Sequence, residues 1–370
     1  MKIPYGRPYL PTETAKLLID TFKSGAISGN GNEIKSMEKK LGSFLKSKLV
    51  LGISNGSASI RIAFQTLGLK PGDKVILPGW GFHVAANVAF SMGAKIEFRD
   101  VDLDSWCLEY YNLVDLEDID ELVFLVLIHT LGNTAKLDSL VKTYSSGKLR
   151  IIEDSAEAFM SKYQDKYLGT FFDIGTFSMH AAKTITTGEG GFISVNDIRL
   201  QEKAILLRNH GMNPRNPYFH YHAGDNYRLS NLLASIAHPQ LDDLENIMNQ
   251  RKRVYNQYKA EFLNVPSAQF IKQNDENGFF PWGVCLRLIG ADKTIIQKIR
   301  ESLESSGIES RPGFTSAEKL PYYQSSLNSK IGSLINSNTL ENETIMLPHY
   351  PQLREEEIKK ITGVIKNFLA

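Results

Sequence analysis

Short β-branched runs alternate with amphipathic stretches through the middle of the chain, and this constrains the fold more than any other feature. Leu49-Val50-Leu51-Gly52-Ile53 reads as a strand, followed after Asn55-Gly56-Ser57 by a helical pattern through Ile60, Ala63, Phe64 and Leu67. Pro71-Gly72-Asp73 turns the chain into a second strand, Lys74-Val75-Ile76-Leu77-Pro78. Val84 to Met92 is a helix with Gly93 as its stop, and Ala94-Lys95-Ile96-Glu97-Phe98 returns to strand. Further buried strands are predicted at 122–128, 150–153 and 192–195. Such alternation implies an α/β fold with a mostly parallel central sheet covered on both faces. Ligands of these sheets sit beyond the carboxyl ends of the strands, where Asn55-Gly56-Ser57, Pro78-Gly79-Trp80 and Asp154 all fall.

A chain of 370 residues has room for two domains. The composition changes near Leu241, so residues 1–240 are expected to form a large α/β domain and 241–370 a smaller α+β domain. The second part opens on a long charged helix, Asp242 to about Phe262, carrying Arg251-Lys252-Arg253. A strand at Gly283–Leu288 follows, with helices near Lys293–Ser305 and Arg354–Phe368. The stretch Gly211 to Asp225 is aromatic and His-bearing, which suits a binding loop better than a linker.

Charge and cysteine content narrow the function. Lys+Arg total 42 against Asp+Glu 41, a net charge of +1, which gives no support for a nucleic-acid or anionic-membrane partner. The two cysteines, Cys107 and Cys285, make neither a disulfide framework nor a CxxC zinc pair. The first residues carry no apolar signal core, and the apolar run Leu122 to Ile128 is too short to span a bilayer. A soluble protein of the reducing cytoplasm is expected.

Four segments could carry chemistry. In Ser178-Met179-His180-Ala181-Ala182-Lys183-Thr184-Ile185-Thr186-Thr187-Gly188-Glu189-Gly190-Gly191, an amine nucleophile stands among small, hydroxyl-bearing residues. That suits a Schiff-base lysine holding a phosphorylated carbonyl cofactor, although a surface lysine before a turn has the same local pattern. Asn55-Gly56-Ser57 is either a phosphate cradle at a helix N-terminus or a turn with an N-cap. Glu153-Asp154-Ser155-Ala156-Glu157 either offers a carboxylate to a pyridinium nitrogen or complements a helix dipole. Trp80, Phe82 and His83 form an aromatic cluster suited to a flat ring or to the core. His220-Tyr221-His222 lacks a third ligand, so no metal is expected. The glycines after Lys183 have neither GxxxxGK[ST] nor GxGxxG order.

Taken in chain order, these motifs resemble the DegT/DnrJ/EryC1/StrS family of pyridoxal-phosphate sugar aminotransferases. Asn55-Gly56-Ser57-Ala58 is similar to its SGTA, Glu153–Ala158 to its EDAAQA, and Ser178–Lys183 to its SFHPTK. Gly188–Gly191 matches its GEGG, and Asp225-Asn226-Tyr227-Arg228-Leu229-Ser230 resembles its Asn-Tyr-Arg-Met/Leu-Ser run. The resemblance implies fold type I and pyridoxal 5'-phosphate as cofactor. Lys183 would be the Schiff-base lysine that then shuttles the proton, with Asp154 on the pyridine nitrogen, Glu157 near the ring hydroxyl and Phe82 on the ring face. Gly56, Ser57 and Ser178 would hold the phosphate, with Asn226 of the partner subunit completing a homodimer's shared site.

The implied reaction moves an amino group from L-glutamate to a keto sugar, C4 of a nucleotide-linked 4-keto-6-deoxyhexose, for surface polysaccharides such as O-antigen. Another ketone (a 3-keto nucleotide sugar or a small phosphorylated ketone) and a non-catalytic cofactor-binding role are the alternatives. One branch of the family dehydrates sugars with a histidine in place of the lysine, and the presence of Lys183 favours transamination. Pro78-Gly79-Trp80-Gly81-Phe82-His83 and Asn30-Gly31-Asn32 depart from the family's usual runs. Trp80 and His83 of the first of these runs, together with His180, His220 and Arg228, are the candidate substrate contacts.

Overall fold

The computed structural model describes residues 2–116, 121–144, 147–213, 215–275, 277–324 and 329–369, which leaves Met1 and Ala370, the ends of the two expected domains, outside. Apolar runs form the strands β1 (Val50–Ile53), β2 (Lys74–Pro78), β3 (Lys95–Arg99), β4 (Val123–Ile128) and β5 (Leu149–Asp154). A short hairpin, β6 (Lys162–Tyr163) and β7 (Lys166–Tyr167), precedes β8 (Ile174–Ser178) and β9 (Gly191–Val195). The main sheet has eight strands in the order β1-β9-β8-β5-β4-β2-β3-β13, where β13 is Ser329–Ile331. Only β9 runs against the rest. The mostly parallel sheet of a type I fold is therefore present.

Both faces of this sheet are covered, which is why β4 is buried at every position. One face packs Phe124, Val126 and Ile193 against the helices α3 (Gly56–Leu67) and α4 (Val84–Ser91), through Ile60, Phe64 and Ala89. The other face buries Leu125, Leu127 and Ile151 against α5 (Leu137–Tyr144). Helix α3 starts where expected because the Asn55 side chain accepts the Ala58 N–H, and it stops at Gly68, whose φ of 87° favours glycine. Two N-terminal helices, α1 (Glu13–Lys23) and α2 (Asn32–Leu45), lie against the sheet edge and a later helix and were not anticipated.

Past residue 240 the chain builds a second, antiparallel sheet, β10 (Ala268–Gln269), β11 (Val284–Leu288), β14 (Thr344–Leu347) and β12 (Arg311–Pro312), in that order. Its core joins Leu286, Ile345 and Leu347 to Tyr258, Ile299 and Ile361 from three helices. The expected long helix forms, and a helix that was not anticipated leads into it. α7 (Asn231–Asp242), preceded by α6 (Ile198–Arg208), ends at Asp243, and α8 (Leu244–Glu261) begins after it. Asp243 leaves helical geometry with its carboxylate taken by the Tyr9 hydroxyl and the Asn246 amide. Beyond α9 (Lys293–Ser305) and α10 (Pro321–Gln324), β13 returns to pair with β3 on the large sheet. α11 (Ile335–Glu343) and α12 (Glu355–Lys366) complete the chain. Among the described residues, no helix is long and apolar enough to cross a membrane.

Candidate active site

The segment carrying Lys183 is the connection between β8 and β9, closed at its neck by the Ser178–Gly191 pair. Its hydroxyls mainly secure the loop. Thr186 Oγ1 donates to the Met179 carbonyl at 3.0 Å, and Thr187 Oγ1 to that of Glu189 at 2.8 Å. Gln240 of α7 brackets Thr186, accepting its N–H at 2.9 Å and donating to its carbonyl at 2.7 Å. The glycines are needed here: Gly188 has a φ of 82°, and a Cβ at Gly190 would fall 2.1 Å from Thr187 Oγ1.

Strand alternation splits the acidic cluster at the tip of β5 into two jobs. Glu153 accepts the N–H groups of Gly169, Phe171 and Phe172 at 2.7–2.9 Å and meets His129 Nε2 at 3.1 Å, so it organises a turn. Asp154 and Glu157 belong with the lysine. Lys183 Nζ stands 3.8 Å from Glu157 Oε1, with its side chain 15% exposed. Asp154 accepts the Ala156 N–H at 3.1 Å, and Glu157 accepts that of Leu131 at 3.0 Å. Burial pushes both carboxyls up from the usual range, opposed in each case by Lys183. It pushes the Lys183 amine down, opposed by Glu157 and Asp154.

These residues suit pyridoxal phosphate. Helix geometry leaves the N–H groups of Gly56 and Ser57 without intrahelical partners, while the Asn55 cap takes only Ala58. A Cβ at Gly56 would come 3.1 Å from Ser178 Cβ, so glycine keeps a cradle open between helix and strand end. Asp154, buried with a single backbone donor, is a carboxyl that a cationic ring nitrogen would complement. Phe82 is 62% exposed, an unusual state for a large aromatic and one that leaves its face free to meet a flat ring.

The substrate candidates divide. Trp80 is a correction: it is fully buried, edge-on to Trp106 at 5.8 Å and Phe314 at 5.2 Å, and cannot meet a substrate. The backbone beside it is pressed against Leu334, where a Cβ on Gly79 would fall 2.7 Å from a methyl. The indole thus faces the core and Phe82 the open side. His83 is half-buried, its Nε2–H donating to the Thr315 carbonyl at 2.7 Å, and burial lowers its pKa. His180 is exposed, 3.9 Å from Glu189. His220 is exposed and bound through Nδ1 to the His210 carbonyl at 2.7 Å, and Met212 pairs with it across the loop. Arg228 is half-buried and donates to Asn209, while Asn226 is exposed and bridges to Asn209.

Two neighbours of Lys183 escaped sequence reasoning. Trp282 places its ring centroid 4.0 Å from Nζ, and Arg251 of α8 donates to the Lys183 carbonyl at 3.2 Å. Arg251 stood in the sequence only as part of a charged helix. Trp282 is one of three tryptophans, and that scarcity was the only available hint.

Sheet direction and the residues gathered at its carboxyl edge suit a pyridoxal-phosphate enzyme of fold type I. The chain belongs to the DegT/DnrJ/EryC1/StrS aminotransferase family, whose model matches residues 8–366, and it is a pyridoxal-phosphate-dependent aminotransferase. It is 30% identical to the GDP-perosamine synthase of Vibrio cholerae over 99% of both chains. Among solved structures it is similar to Helicobacter pylori PseC, an aminotransferase involved in the biosynthesis of pseudoaminic acid, at a TM-score of 0.91 and 23% identity, covering 100% of this chain and 99% of that one. The E. coli GDP-4-keto-6-deoxy-D-mannose-3-dehydratase with bound hydrated PLP shares the fold at a TM-score of 0.89 and 20% identity, covering 99% of each.

Proposed function

We propose that this aminotransferase moves the amino group of L-glutamate to a keto sugar, C4 of a nucleotide-linked 4-keto-6-deoxyhexose, for surface-polysaccharide synthesis. The buried Lys183 amine beside Glu157 carries the reaction type. Full-length similarity to an enzyme named GDP-perosamine synthase supports the substrate class. Pyridoxal phosphate, when bound, supplies the carbonyl that takes the amino group and a ring that spreads the electron pair released at the substrate carbon.

The protein's own residues bind, orient and move protons. Gly56, Ser57 and Ser178 would hold the phosphate. Asp154 would keep the ring nitrogen protonated, Glu157 would pair with the ring hydroxyl, and Phe82 would stack on the ring. Lys183 carries the proton between cofactor and substrate carbons, a task favoured by an amine whose pKa burial has lowered. The working unit is a homodimer, with Asn226 of the partner subunit completing the phosphate site. The exposure of Asn226 beside the exposed aromatics Tyr218, Phe219 and Tyr221 supports that reading. Two buried free thiols, Cys107 and Cys285, suit a cytoplasmic setting.

The test is a two-stage assay on the purified, yellow holoenzyme. L-glutamate should bleach the visible absorbance, and a nucleotide-linked 4-keto-6-deoxyhexose should restore it and yield an amino sugar. Nucleotide-linked 3-keto sugars and small phosphorylated ketones are the competing acceptors, and faster restoration by one of them would replace the substrate assignment. Lys183→Ala should abolish turnover. Full activity in that variant would sink the assignment of the reaction.

A further inference from the structure

Arg251 is buried on α8, and its hydrogen bonds end on neutral acceptors. Nη1 donates to the Trp282 carbonyl at 2.9 Å and lies 3.2 Å from His349 Nδ1, while Nη2 donates to the Lys183 carbonyl at 3.2 Å. Among the described residues its Nε has no partner. His349 supplies no counter-charge. Its Nδ1 lies 3.2 Å from Arg251 Nη1 and 3.0 Å from the Trp282 carbonyl, and its Nε2 faces the Arg251 carbonyl at 3.1 Å, so burial beside a cation rather than a carboxylate decides its charge. Burial and the Arg251 charge push His349 down to about 3. Burial lowers Arg251 itself to about 10, which leaves it cationic at neutral pH, and the facing titratable group that opposes this is Tyr5.

Trp282 completes the arrangement from the same layer. Its indole N–H donates to the Ala182 carbonyl at 3.2 Å, and its ring lies 4.0 Å from Lys183 Nζ. Guanidinium and indole therefore grip consecutive carbonyls of the lysine loop. The carboxyls of Glu157 and Asp154 face the same amine from the large sheet. A fixed like charge disfavours an ammonium, while the face of an indole attracts one.

We propose that Arg251 and Trp282 are positioning residues for Lys183 with opposed effects: the unneutralised guanidinium favours the free amine, and the indole face holds the ammonium. Together they set where Nζ rests and how readily it takes up a proton. This rests on the reading of Lys183 as the proton-moving amine. Trp282 gives the side chain a defined place whenever the amine is unbound, and Arg251 biases that population toward the deprotonated form. The C-terminal layer thus adds a cation and a ring to the setting of a lysine whose facing carboxyls come from the large sheet.

Two measurements test this. Carbamylation of Lys183 by cyanate, followed across pH by peptide mass spectrometry on the full-length, cofactor-stripped protein, reads the amine's midpoint without turnover. The acid limb of the glutamate half-reaction in the holoenzyme reads it in the working site. Arg251→Gln should raise the midpoint by about one pH unit, leaving roughly tenfold less free amine below it, and Trp282→Leu should lower it by about half a unit. Arg251→Lys and Trp282→Phe, which keep charge and ring, should stay within about 0.3 units of the parent. Slower variants with unmoved midpoints, or midpoints that move in one direction together, would overturn the proposal. Should Arg251→Gln fail to fold, an unmoved midpoint in Trp282→Leu overturns it alone. A holoenzyme inert toward glutamate whose cyanate midpoints still shift as expected would instead remove only the functional reading.

Discussion

Two buried arginines mark two ways of handling charge. On β11 of the antiparallel sheet, Arg287 Nε donates to Glu343 Oε2 at 2.6 Å and Nη1 to Gln269 at 2.9 Å. The other oxygen of Glu343 accepts the Gly290 N–H at 2.9 Å, so the charge is closed into a saturated pair. At the seam with the large sheet, Arg251 meets carbonyls and a neutral imidazole instead. A closed pair roughly breaks even against its desolvation. An open cation costs stability, and such costs persist where the field serves chemistry. The first arginine holds a sheet together; the second acts on a neighbouring amine.

The largest expected effect falls on the seam. Asp154→Asn should slow the glutamate half-reaction by about a thousandfold, or about 4 kcal/mol of transition-state stabilisation. Its folding stability, read by urea denaturation, should change by under about 1 kcal/mol, because this buried carboxyl has only one backbone donor. A rate within tenfold of the parent would break the seam side of the contrast. Next comes the closed pair. Glu343→Gln strands Arg287 and should cost about 3 kcal/mol in urea, with the rate per folded molecule unchanged. Equal stability would show that Arg287 needs no partner and erase the distinction.

His349 gives a smaller, pH-dependent effect. In the unfolded chain it protonates near its ordinary value of about 6.5, whereas in the fold it does so only at about 3. Between those values the unfolded state binds the extra proton, so stability from this residue is complete above the window and falls as pH drops through it. His349→Gln lacks that loss. The stability difference between parent and variant should shift by about 2 kcal/mol between pH 7 and pH 5, and an unchanged difference would show that burial beside Arg251 does not depress His349. The smallest effect belongs to Phe82. Phe82→Ala should weaken cofactor binding by about fivefold, measured by absorbance titration, with folding untouched because the ring is exposed.

Local signals made much of the large sheet legible. β5 reads from its β-branched run, α9 from its apolar period, and the start of α3 from Asn55 ahead of Gly56 and Ser57. What was hidden depends on distant partners. β13 has little strand character of its own and forms because the edge of β3 is open to it. At the candidate site, the lysine, the two carboxyls and the glycine–serine cradle were visible as motifs with a chemical reason for their composition. Trp80 was misjudged because aromatic character alone does not say which side of the backbone faces the core. Trp282 lay hidden because its bond to the lysine loop spans 100 residues.

The neck at Ser178 and Gly191 has a consequence for repeated use. In its proposed role Lys183 must return its amine to the same spot in every cycle. A slack tether would lose time on each return to a search through wrong arrivals. Here both feet of the loop are stitched into neighbouring strands and its middle is pinned by Gln240. Only the four-carbon arm is left to swing, so in the proposed role the return of the amine is a matter of side-chain rotation rather than refolding of a loop.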